Sequence, residues 1–219
     1  MTLVVACGLR REARIFDRPG RNVFAVVGGG HAAKLAADLD DQAEIFPGII
    51  LSCGIAGALA PALRPGDVVI DGDRSVVDHL RRALSHAVVG TIVGSDTIVA
   101  TASEKRRLAE QGGIAVDMES HVARRVARRK VLPFGAIRTI SDRAQDDLPP
   151  AALVGMRPDG KMALGPVLAS LARHPGQLPA LLQTGRQASA AFASLSQAFA
   201  AIIGSGMDRL DISALPMDH

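Results

Sequence analysis

Residues 23–54 read VFAVVGGGHAAKLAADLDDQAEIFPGIILSCG. A β-branched run, Val23 to Val27, meets three glycines. A stretch rich in alanine and leucine follows at helical spacing, and then a second apolar run leads to Gly54. Neither run alternates apolar with polar residues, so each reads as a strand buried on both faces. Strand, glycine turn, helix and strand within roughly 30 residues form the parallel crossover unit.

Working outward, the unit recurs. TLVVACG (2–8) leads into LRREARIF (9–16), and GIILSCG (48–54) into IAGALAPAL (55–63). GDVVIDGD (66–73) and HAVVGTIVGSD (86–96) add further runs. GIAVD (113–117) leads into MESHVARRVARR (118–129), and FGAIRTISD (134–142) follows. Apolar strands alternating with helices predict an α/β fold: a three-layer α/β/α sandwich around a central mixed, mainly parallel sheet. The 219 residues suit a single domain over 1–219. From about 148 to 203, prolines, glycines and helical spacing predict two or three amphipathic helices on the rim of the sheet. Residues 204–219 read as a loose tail.

Composition excludes several classes of function. Hydrophobic residues make up 48% and charged residues 21%, so the chain is globular rather than disordered. The net charge is +3, and the arginines fall in scattered pairs with no Trp or Tyr beside them. That pattern argues against nucleic acid and leaves a weak attraction to an anionic membrane surface. No HxxH or Cys/His ligand spacing suggests a metal, and no GxSxG elbow occurs. Cys7 and Cys53 read as buried thiols. The opening residues lack a secretory pattern and no run is long enough to span a membrane, so the expected location is cytoplasmic.

In such sheets, ligands gather at the carboxyl ends of the strands. Gly28, Gly30 and Ala33 fit a loose dinucleotide fingerprint, but no acid follows at the end of the next strand, where LSCG stands. Backbone N–H groups of such a turn suit an anion instead. The acids say more. Asp117, Glu119 and Asp142 all follow buried strands, with Ser141 beside Asp142. Each alone fits a helix N-terminus, and Asp117 suits a cap best; three together at one end of a sheet suggest a site.

GIAGALAPALRPGDVVI, GSDTIV, AVDMESHVARRVA and AIRTISDRA, in this order, resemble the purine nucleoside phosphorylase and methylthioadenosine/S-adenosylhomocysteine nucleosidase superfamily over residues 3 to about 145. RPDGKMALGPVLASLARHPGQLPALL is most similar to the hopanoid-associated phosphorylases, which are thought to remove adenine from adenosylhopane. The resemblance implies cleavage of an adenine nucleoside, with inorganic phosphate as co-substrate and no other cofactor. It implies catalytic roles for Asp142, at purine N7, and for Glu12, the match to the acid that activates water in the nucleosidases. Met118, Glu119 and Asp117 would hold the ribose, and Ile98, Val99 and Ser141 the base. Gly8, Arg11, Gly29, Gly30, His31 and Gly54 would grip phosphate, and no residue a metal. The implied partners are a nucleoside with an apolar lipid tail and further copies of the chain, with peripheral contact at a membrane surface.

Departures from the pattern bear on the reaction. Ser52 and Ile55 stand where the matching phosphorylases carry an Arg and a Ser, and Ile98 stands where the nucleosidases stack a Phe. The segment between Asp71 and Val89 is shorter than the matching region of the nucleosidases, which suits either a bulky apolar 5′ group or a trimmed loop with no bearing on the substrate. Phosphorolysis of adenosylhopane is the first expectation. Hydrolysis of a small 5′-thio nucleoside and a non-catalytic nucleoside-binding module are the alternatives.

Overall fold

The computed structural model describes residues 2–153 and 164–210. Eight strands alternate with helices in chain order: β1 (Thr2–Cys7), α1 (Arg10–Phe16), β2 (Val23–Val27), α2 (Ala32–Ile45), β3 (Gly48–Ala58), β4 (Val68–Gly72), α3 (Arg74–Ala83), β5 (Val88–Val89), β6 (Ile92–Gly94), α4 (Ala102–Glu110), β7 (Ala115–Asp117), α5 (Ser120–Lys130) and β8 (Phe134–Asp142). The short α6 (Pro150–Leu153), then α7 (Leu164–Arg173) and the long α8 (Leu178–Gly204) complete the order.

The strands form one mixed sheet. Its main path runs β2-β1-β3-β8-β4-β5, with β7 paired to β3 and β6 to β7. The pairs β1–β2, β1–β3, β3–β8, β4–β5 and β6–β7 are parallel, whereas β3–β7 and β4–β8 are antiparallel. This is the mixed, mainly parallel sheet between helices that the apolar runs predicted.

Strand periodicity divides the core into two layers. Val4 and Ala6 of β1 and Ile50 of β3 pack with Leu35 and Leu39 of α2 and Val122 and Val126 of α5. The alternate residues Leu3, Val5, Ile49 and Leu51 pack on the other face with Phe16, Leu80, Leu195 and Phe199. Phe16 and Phe199 meet edge to face with ring centroids 4.7 Å apart, joining α1 to α8.

Three expectations need correction. The stretch after Gly54 is not a turn into a helix: β3 continues to Ala58, paired with β8 and then β7. The C-terminal helices do not stay on the rim, because α8 buries Leu195, Phe199 and Ile202 against a face of the sheet. The first part of the tail is not loose. Residues 207–209 form a 3₁₀ turn, Met207 and Asp208 are buried, and Arg21 reaches Asp208 at 3.2 Å. The rest of the expected tail, 211–219, lies outside the described residues.

The carboxyl ends of β1, β7 and β8 and the last part of β3 open onto one side of the sheet. Gly8, Asp117, Asp142 and Gly57 all face the same cavity there.

Candidate active site

That cavity measures about 570 Å³. One side carries Glu12, Met118, Glu119, Ser141 and Asp142. Ile98 and Val99 lie on the loop after β6. Thr184, Ala188 and Phe192 of α8, with Leu148 and α6, add a largely apolar lining. Leu148 is tied to the Ile98–Val99 loop by its N–H, which donates to Ala100 O at 2.8 Å.

Each of the three acids fills space that a glycine leaves. A Cβ on Gly8 would lie 2.5 Å from Glu119 Oε1, one on Gly54 2.6 Å from Glu12 Oε1, and one on Gly57 3.1 Å from Asp142 Oδ2. Gly57 also sits where the β3–β8 register shifts by one residue, and such bulges re-aim side chains. The glycines of β3 thus serve close approach and not a turn.

Glu12 is buried in the first turn of α1. It accepts from the N–H of Gly8 at 2.9 Å, Leu9 at 2.8 Å and Ile55 at 2.9 Å. Burial pushes its carboxyl above the usual range, opposed by the Ile55 N–H and the charge of Arg138. Glu119 is pushed up to about 8, first by burial and then by the charge of Asp117. A carboxyl held this way takes or holds a proton near neutral pH.

Beneath the cavity lies a group that the sequence reading missed. Arg138 of β8 is fully buried, and its Nε donates to Asp117 Oδ2 at 2.6 Å. Its Nη2 reaches the same oxygen, donates to Ser52 Oγ at 2.6 Å and lies 3.7 Å from Glu119 Oε2. Burial opposes its charge, but Asp117, Glu119 and Glu12 hold its pKa above the ordinary value. Ser52 therefore faces Arg138. An arginine inside an otherwise apolar strand was the signal available: a buried cation needs a partner.

Asp117 lines the cavity and also caps α5, the reading its position suited best. Its Oδ2 accepts from Arg138 and from Ser120 N at 2.9 Å, and its Oδ1 from Ser120 Oγ at 2.5 Å. Those bonds fix the start of α5 and leave little capacity for a sugar. Glu119 keeps its place in the cavity, and Met118 stands beside it. Ser141 Oγ lies 2.7 Å from Asp142 Oδ1 and 3.1 Å from Ala56 O.

Of the expected phosphate ligands, Gly8 and Arg11 line the cavity and the others do not. The Gly8 N–H is engaged by Glu12, and the Gly29 N–H donates to Gly8 O at 3.0 Å. His31 is exposed at the start of α2, and its N–H donates to Gly28 O. Gly29, Gly30, His31 and Gly54 do not line the cavity. Gly30 instead approaches Met118 from behind: a Cβ there would be 3.9 Å from its Cε. Arg11 does line the cavity, with its guanidinium 3.9 Å from the Phe192 ring centroid.

Residues 71–155 match the profile of the Phosphorylase superfamily. The superfamily resemblance read from the sequence holds. The matched segment contains Asp117, Met118, Glu119, Arg138 and Asp142. Among curated proteins nothing matches the chain. Solved structures share its fold. A 5′-methylthioadenosine/S-adenosylhomocysteine nucleosidase from Neisseria meningitidis, bound to methylthio-immucillin-A, is 18% identical. It superposes with a TM-score of 0.67 over 93% of this chain and 99% of that one. A methylthioadenosine/S-adenosylhomocysteine nucleosidase from Colwellia psychrerythraea in complex with adenine is 16% identical, with a TM-score of 0.66 over 94% of this chain and 95% of that one. The futalosine hydrolase of Helicobacter pylori is 16% identical, with a TM-score of 0.61 over 96% of this chain and 98% of that one. Among the described residues, no helix is long and apolar enough to cross a membrane.

Proposed function

We propose that the chain cleaves the N-glycosidic bond of an adenine nucleoside, with water as the nucleophile. The observation that carries this reading is the placement of Glu12. It is a buried carboxyl at the cavity wall whose proton affinity is raised by burial, and it engages the Gly8 and Leu9 N–H groups that an anion would need. Glu12 takes a proton from water as the oxygen bonds to C1′. The C1′–N9 bond breaks, and its electron pair passes to the base. Asp142 delivers a proton at purine N7. Glu119 accepts hydrogen bonds from the ribose hydroxyls, and Met118 packs on the sugar. Departure builds positive charge on the ribose, as in other oxocarbenium-like reactions, so the ionised form of a carboxyl beside the sugar favours the transition state.

The finer substrate reading is a nucleoside with a bulky apolar 5′ group, of which adenosylhopane is the lead. Leu148, Ala152, Leu153 and Phe192 give the cavity an apolar flank suited to hydrocarbon. Exposed Leu168, Leu178 and Leu182 on α7 and α8 support contact with a membrane surface. Residues 164–207 also contain Arg173 and Arg186 but no Asp or Glu.

Phosphorolysis is the second reading, favoured by Arg10, Arg11 and Arg14 at the cavity. The test is adenine release from adenosine, methylthioadenosine and adenosylhopane by the purified protein. Release from none of them, with or without phosphate, removes the enzymatic reading and leaves a nucleoside-binding module.

A further inference from the structure

Lys105 has no part in the chemistry above, yet it is wholly enclosed behind Asp142. Its side chain is 0% exposed. Its Nζ donates to Asp142 Oδ2 at 2.5 Å, to Arg143 O at 2.8 Å and to Asp146 O at 2.7 Å. An ammonium has three N–H groups, and here each has an acceptor. A buried cation survives only when paired and hydrogen-bonded in this way.

The arrangement has a chemical consequence. A neutral amine has two N–H groups and one lone pair. If one proton passes along the Nζ–Oδ2 contact, the other two N–H groups still donate to the Arg143 and Asp146 carbonyls. The lone pair then accepts from the new carboxyl O–H. Transfer therefore reverses one hydrogen bond and breaks none. The remaining Asp142 oxygen is already served by Ser141 Oγ at 2.7 Å, so the carboxyl stays oriented as its proton comes and goes. A guanidinium in the same place would hold the carboxylate but would not release a proton.

We propose that Lys105 is the proton store for Asp142: a positioning residue that holds the carboxylate in the empty site and supplies its proton as the purine departs. The inference rests on the reading that Asp142 acts at N7. Lys105 passes a proton to Asp142 Oδ2, the carboxyl so formed gives a proton to N7, and the C1′–N9 pair passes to the base. Glu12 takes the proton lost by water. Solvent then removes that proton from Glu12 and returns one to Lys105, which closes the balance. The other titratable and charged groups near the pair are Asp117 and Glu119 at the β7–α5 turn and Arg138 beneath them. Arg10, Arg11, Glu12 and Arg14 lie on α1, and Arg143 and Asp146 on the loop after β8.

The test is single-turnover adenine release by the parent protein, Lys105→Arg, Lys105→Met and Asp142→Asn, with folding checked by circular dichroism. At neutral pH, both Lys105 variants should lose roughly 10²-fold in the chemical step, the lower range for loss of a general acid, with KM moved far less. Lys105→Met should approach the parent's rate at the same pH as the pH falls, because solvent then loads the carboxyl directly. Lys105→Arg should not, because its fixed charge keeps the carboxylate ionised. A parental rate in Lys105→Arg would show that charge alone suffices and overturn the proposal. So would an equal loss in Lys105→Met at every pH. If neither variant folds, the parent decides in mixtures of light and heavy water. A dependence on deuterium fraction that bends further than the two protons moved to Glu12 and N7 allow is expected, and one that those two protons explain overturns the proposal. An active Asp142→Asn would instead sink the acid role of Asp142 itself.

Discussion

Glu12, Glu119 and Asp142 share one cavity, yet each is held differently, and that difference sets what each does. Asp142 sits between Lys105 and Ser141. Asp142→Asn removes the proposed proton carrier while keeping the shape, so turnover should fall by roughly 10²-fold or more with the fold intact, as measured by adenine release and circular dichroism. Glu119 is pushed up to about 8 by burial and by Asp117. A carboxyl whose folded pKa is raised binds more protons folded than unfolded, so stability falls as pH rises from about 4.5 to about 8. Glu119→Gln should flatten that decline in urea titrations across the window, and should weaken turnover on ribosides more than on 2′-deoxy substrates. An unchanged slope and equal losses would leave Glu119 as a helix-end acid only. Glu119 and Asp142 were legible because each follows an apolar run, and Glu12 only through the family resemblance. Their partners were less so. Lys105 stands in SEKRR, which reads as a solvated helix face, and only the tertiary fold turns that one position inward. Arg138 was open to inference, since a charge inside FGAIRTISD has nowhere to go but to another charge.

At the scale of elements, β3 carries the most consequence. The repeated apolar runs and glycine turns made the strands and most of the helices readable. The stretch from Gly54 to Ala58 was not, because Gly and Ala there mimic a turn leading into a helix. Its neighbours β8 and β7 decide otherwise by pairing with it, and the glycines leave room for Glu12 and Asp142. Gly54→Ala should therefore leave a folded protein with little turnover, since its Cβ would meet Glu12 Oε1 at 2.6 Å; a fully active variant would show that Glu12 moves freely. The reach of α8 was likewise hidden, because its apolar spacing does not say which surface it covers. Phe199→Ala, which removes the ring packed on Phe16, should cost about 3–5 kcal/mol in chemical denaturation. A loss well under that would mean that α8 is not integral to the core.

For the whole molecule, the layered sheet brings residues from three distant parts of the chain, Glu12, Glu119 and Asp142, to one cavity. The buried Arg138–Asp117 pair fixes the floor between them. Breaking that pair with Arg138→Met strands a buried carboxylate and should destabilise the protein by about 3–5 kcal/mol, read from urea midpoints. The central claim is that water, activated by Glu12, attacks the anomeric carbon. It is tested most directly by identifying the sugar product in carefully phosphate-free buffer and again with phosphate added. The account predicts adenine and a free ribosyl sugar at the same rate in both, with Glu12→Gln suppressing both. Adenine release that requires phosphate, yields a sugar 1-phosphate and survives Glu12→Gln would contradict it.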